Sequence, residues 1–76
     1  MRGDLRRREL ALKRRVEPLA AAGDWRAAAR LAGELVLLYG ELQDESPDDA
    51  GLRDDWRRLQ LKWESFERQF LQRAER

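Results

Sequence analysis

Few residues in this chain can carry covalent or acid–base chemistry. His, Cys, Thr and Asn are absent, and Ser46 and Ser65 are the only aliphatic hydroxyls. A nucleophile needs a neighbouring base, and a general acid or base needs an enclosed pocket that shifts its pKa. Ser46 precedes Pro47 and reads as a helix cap. Ser65 falls in the middle of a helical pattern. The acidic run Asp44, Glu45, Asp48, Asp49, Asp54 and Asp55 has the oxygens a hard cation takes. It lacks the alternating ligand spacing and central glycine of an EF-hand loop. Without thiols or imidazoles there is no ligand set of the zinc type. The sequence therefore predicts a non-enzyme with no cofactor and no metal.

Arginine clusters are the next candidates. Arg6-Arg7-Arg8, Lys13-Arg14-Arg15 and Arg57-Arg58 could meet phosphates, and fourteen of the sixteen basic residues are Arg, the side chain suited to bidentate pairing. An accessory nucleic-acid binder using the Arg clusters of helices one and three is the alternative function on this ground. Against it stand a net charge of +1 and only four Gln with no Asn to read bases. The signs are segregated: residues 1–33 carry a net +5, 34–55 a net −7 and 56–76 a net +3. Acids interleave with the basic clusters, which favours a salt-bridged face over an exposed basic arm.

The strongest signal is apolar. Leu52, Trp56, Leu59, Trp63, Phe66 and Phe70 recur at spacings of four, three, four, three and four, a heptad seam with four of the six aromatic residues. The chemistry such a seam offers is burial, because large aromatics in it are typical interface anchors. Trp56, Trp63, Phe66 and Phe70, with Leu71 beside them, are the expected interface residues. Leu35, Leu38 and Leu42 are expected opposite them.

Three helices must position that seam. The first is expected over about Asp4 to Ala22, capped by Asp4, with Leu5, Leu12, Val16, Leu19 and Ala20 on one face and Glu9 interrupting it. Pro18 removes one backbone bond, so the pattern predicts a bend there. Gly23 reads as the C′ residue and Asp24 as the cap of a second helix over Trp25 to Gln43. Its stripe is Ala28, Leu31, Leu35, Leu38 and Leu42, widened by Ala32 and Tyr39. Gly33 and Gly40 each cost helix propensity, roughly 1 kcal/mol against Ala, and so mark close helix approach. Ser46-Pro47-Asp48-Asp49 reads as the start of a third helix running to about Ala74. With Val16 and Val36 the only β-branched residues, no strand is expected.

Residues 21–32, Ala-Ala-Gly-Asp-Trp-Arg-Ala-Ala-Ala-Arg-Leu-Ala, resemble the turn of a tetratricopeptide repeat. Gly23, Asp24, Trp25 and Ala28 match the repeat's Gly-Asp-aromatic element and the Ala three residues on. The resemblance covers only this turn: the repeat's terminal Pro is missing at its place, and Val16 stands where a small residue is usual. It implies close antiparallel packing of helices one and two, and peptide binding by analogy.

The whole reads as one all-α domain over 1–76, a three-helix up-down-up bundle, because short connections force antiparallel neighbours. Arg2, Arg6, Arg7 and Arg8 then share a pole with the acidic 41–55 segment. Helix three, at about 28 residues with a 1.5 Å rise, would span roughly 40 Å and project its Phe66–Leu71 end beyond its neighbours. A chain of 76 residues sits near the lower limit for a self-sufficient core, and without disulfides or metal it must gain stability from helix packing or association. The expected function is a non-catalytic helical protein–protein interaction or assembly module. It would self-associate as a homodimer through the helix-three seam, dimerisation then making a larger bundle, or pair with another helical protein. No stretch approaches the roughly 20 apolar residues of a membrane span. The amino terminus has no apolar run of the signal-peptide type, so the expected location is the cytoplasm.

Overall fold

In the computed structural model the chain forms three helices, α1 (Arg2–Ala21), α2 (Trp25–Asp44) and α3 (Ala50–Ala74), and no strand among the described residues. The structure describes residues 2–75, of Arg2 the backbone alone, so the expectation for the Arg2 side chain lies outside the described residues. The fold is an all-α three-helix bundle.

Each helix ends where its backbone partners change. Gly23 adopts φ +78°, a left-handed conformation that L side chains rarely take. Around it the Gly23 N–H donates to Ala20 O and the Asp24 N–H to Leu19 O, at 3.1 and 2.9 Å, the two bonds of a Schellman close. Asp24 then caps α2, its carboxylate accepting from the Ala27 N–H at 3.4 Å. The α1–α2 turn follows the sequence expectation residue for residue.

Two local expectations are corrected, at the starts of α1 and α3. The helix begins before Asp4, which lies inside its first turn. Pro18 sits in the last turn and α1 runs unbroken through it to Ala21. The cap of α3 is Asp49, whose carboxylate accepts from the Leu52 N–H at 3.0 Å. Ser46 is instead buried in the connection, where its carbonyl accepts from the Asp49 N–H at 3.4 Å. Both residues satisfy the cap rule, and the turn through Pro47 and Asp48 delays the helix by three residues.

The central helix is α2. Its apolar stripe, Leu31, Leu35, Leu38, Tyr39 and Leu42, joins Leu5, Leu12 and Val16 of α1 and Trp56 of α3 in one buried cluster. α1 and α3 both pack on α2, yet no Cα atoms of α1 and α3 come within 8 Å of each other. The result is elongated and thin, 43 × 20 × 13 Å along its principal axes.

Close approach of α2 and α3 occurs at the two glycines. A Cβ on Gly33 would strike the Glu67 carboxylate, and one on Gly40 would come within 3.3 Å of the Gln60 amide nitrogen. That amide donates to Val36 O at 3.0 Å and its oxygen accepts from Gln43 Nε2 at 2.9 Å. A polar clasp therefore joins the two helices where the missing side chain leaves room.

Candidate functional site: an aromatic groove between α1 and α3

A buried polar contact joins α1 to α2. Tyr39, fully buried on α2, donates its hydroxyl to Glu9 Oε2 at 2.6 Å. Glu9 is itself only 2% exposed. Its carboxylate meets Lys13 Nζ at 3.2 Å and Arg6 Nε at 3.7 Å, one turn away on either side. A buried carboxylate is costly unless it is paired and hydrogen-bonded, and this one has both. Burial raises the Tyr39 pKa well above its ordinary 10.0, and the hydrogen bond and negative charge of Glu9 push it further. A Trp63 hydrogen bond and the Arg6 charge oppose that shift.

Trp56 of α3 packs beside this contact. It stacks on Tyr39 at 6.1 Å between ring centroids, and the Arg6 guanidinium lies 5.1 Å over its ring. Its indole nitrogen is buried without a hydrogen-bond partner.

α1 and α3 also leave a groove of ≈ 420 Å³ between them. Val16 and Ala20 form one wall, and Trp63, Phe66 and Phe70 the other. Lys13, Glu17 and Lys62 rim it. The chain's only two lysines both stand here. The aromatic wall is a continuous ladder. Trp63 meets Phe66 edge-on at 5.2 Å, Phe66 stacks on Phe70 at 6.1 Å, and Phe70 stacks on Trp25 of α2 at 5.7 Å. Lys62 lies 5.8 Å over Phe66 and the Arg73 guanidinium 4.8 Å over Trp25, so cations cover two rings that the core does not.

The five expected interface residues thus occupy three environments. Trp56 is core, 6% exposed. Trp63, Phe66 and Phe70 are partly buried and line the groove. Leu71 is 46% exposed and stands outside it. The predicted overhang is shorter than its length implied. α3 has 25 residues against 20 in α2, and Trp25 at the start of α2 already reaches Phe70. The residues missed were those of the opposite wall, Val16 and Ala20, with Lys13 and Glu17. In the sequence Val16 and Ala20 belong to the apolar stripe of α1 and Lys13 to a basic cluster, and only the placement of α3 turns them into a wall. Glu9 was seen as an interruption of the α1 seam. Arg6 and Lys13, three residues before it and four after, were the available signal that it is paired.

The back of the molecule is different. A depression of ≈ 370 Å³ between α1 and α2 is lined by Arg8, Arg15, Glu34 and Glu41 as well as Leu37, which is 71% exposed. Arg8 and Glu41 approach to 3.9 Å across it, joining the basic start of α1 to the acidic end of α2. Among the described residues no three His, Cys, Asp or Glu gather as a cation site, and no helix is long and apolar enough to cross a membrane. No protein-family model matches the chain, and no curated protein or solved structure matches it either.

Proposed function

We propose that this chain is a non-catalytic helical protein–protein interaction module that self-associates by burying the groove between α1 and α3. One observation carries the reading: α1 and α3 are held apart on α2, and the gap exposes a ladder of large aromatics rather than closing over it. A bundle this small has little core to lose, and a groove with an aromatic wall is where a further helix adds most. Fully burying one exposed Phe contributes about 1.5–3 kcal/mol, and Trp63, Phe66 and Phe70, partly buried already, would each add the remaining part of that on association. Trp63 and Phe66 are the anchors, and Phe70 ties the ladder to α2 through Trp25.

Charge reversal of the apolar wall tests this. Phe66→Glu should abolish association measured by light scattering while leaving helical circular dichroism nearly unchanged. Leu61→Glu on the same helix, where Leu61 is 52% exposed and outside the groove, should leave association intact. Equal effects of the two substitutions would contradict the assignment of the surface.

A further inference from the structure

Resting on that self-association reading, we infer that the groove's occupant is a second copy lying with its third helix antiparallel to the first, about a two-fold axis close to Glu64 and Ser65. A two-fold interface must be self-complementary, each residue meeting the one reflected through the axis. The charges on the groove face meet that condition in one orientation.

Lys62 and Phe66 line the groove, so Asp55, one heptad before Lys62, and Arg73, one heptad after Phe66, share their stripe of α3. An axis midway between Asp55 and Arg73 falls at Glu64 and sets the acidic end of each helix against the basic end of the other. The same axis places Lys62 against the Phe66 ring of the other copy. α1 runs beside α3 in constant register: Arg6 stands over Trp56, and Lys13, Val16 and Ala20 line the groove with Trp63, Phe66 and Phe70. The level of Ser65 is therefore that of Arg15 on α1, midway between Lys13 and Glu17. Those two rim residues of α1 also exchange through the axis as opposite charges. A parallel pair would instead have its two-fold along the helices, setting α1 of each copy against α3 of the other, and at constant register Lys13 would then meet Lys62, an unfavourable like-charge contact. The broad face measures 43 × 20 Å overall, so a standard interface of ~800 Å² per partner would extend over most of it.

Cross-linking decides the orientation. The chain contains no cysteine, so single cysteines report without ambiguity. Leu59 and Gln69 lie on the groove stripe and exchange through the proposed axis, and replacing them leaves every charge in place. L59C and Q69C, mixed in equal amounts and treated with a short bis-maleimide, should give a mixed 59-to-69 product, with little product from either variant alone. Cross-links within each variant alone and none between them would overturn the antiparallel arrangement and leave self-association standing. A dimer by light scattering with no cross-link at either position would overturn the groove-to-groove contact. A monomer would overturn the parent reading itself. In a second arm, Asp55→Lys and Arg73→Asp should each weaken the homodimer, by roughly three- to tenfold for two rim pairs, and mixing them should restore wild-type affinity. Failure of the mixture to recover would count against the charge pairing.

Discussion

At the scale of single residues, Glu9 shows how a charge is kept inside a small bundle. Its carboxylate accepts from Tyr39 and is flanked by Lys13 and Arg6, so removing it strands a buried hydroxyl. Glu9→Ala should destabilise the chain by about 2–3 kcal/mol, the cost of leaving buried polar groups unsatisfied, read from urea unfolding. Glu9→Gln, which can still accept from Tyr39, should cost less. Tyr39 makes a second prediction. Its folded pKa is raised above the ordinary 10.0, so below pH 10 its contribution to stability is fully present. As pH climbs past 10 the unfolded chain deprotonates first, and that contribution is progressively lost. The chain has one tyrosine, so tyrosinate absorbance should appear only together with loss of helix. Ordinary titration near pH 10 with the helices intact would contradict the buried Tyr39–Glu9 contact. Glu9 was hard to read from the sequence because its burial is set by α2 and α3, not by its neighbours on α1.

Elements were more legible, and unevenly so. The turn from α1 to α2 depends on Gly23, Asp24 and the backbone around them, all local, and the sequence shows it completely. The start of α3 was displaced because Ser46 and Asp49 are both competent caps, and which one serves depends on where Ser46 is buried. Asp49→Ala should therefore cost about 1 kcal/mol through loss of the cap. Ser46→Ala should act only through its buried site and leave the first turn of α3 in place, a difference visible by hydrogen exchange. Gly33 and Gly40 were legible as points of close approach, but not how differently they would respond. At Gly33 the obstacle is the end of the Glu67 side chain, and at Gly40 it is an amide held in the Gln43–Gln60–Val36 clasp. Gly33→Ala should gain about 0.5–1 kcal/mol of helix propensity as Glu67 moves aside. In Gly40→Ala that gain should be offset by loss of the clasp. Denaturant titration of both variants orders them, with Gly33→Ala the more stable.

For the molecule as a whole, the decisive feature was invisible in the sequence. The heptad seam on α3 indicates that aromatics must be buried, not against what. Trp56 meets Tyr39 and Phe70 meets Trp25, so part of the seam finds partners on α2. Phe66 has neighbours on its own helix and an open groove in front of it. That division follows from where α1 sits, a non-local property of the packed bundle. It also moves the proposed interface from the far end of α3 to its middle. The account rests on the groove between α1 and α3 being covered by a second copy, and sedimentation of the wild-type chain from low to high micromolar concentration tests it most directly. The predicted result is a concentration-dependent rise from the 9.0 kDa monomer to twice that mass. A single monomeric species across the whole range would contradict it.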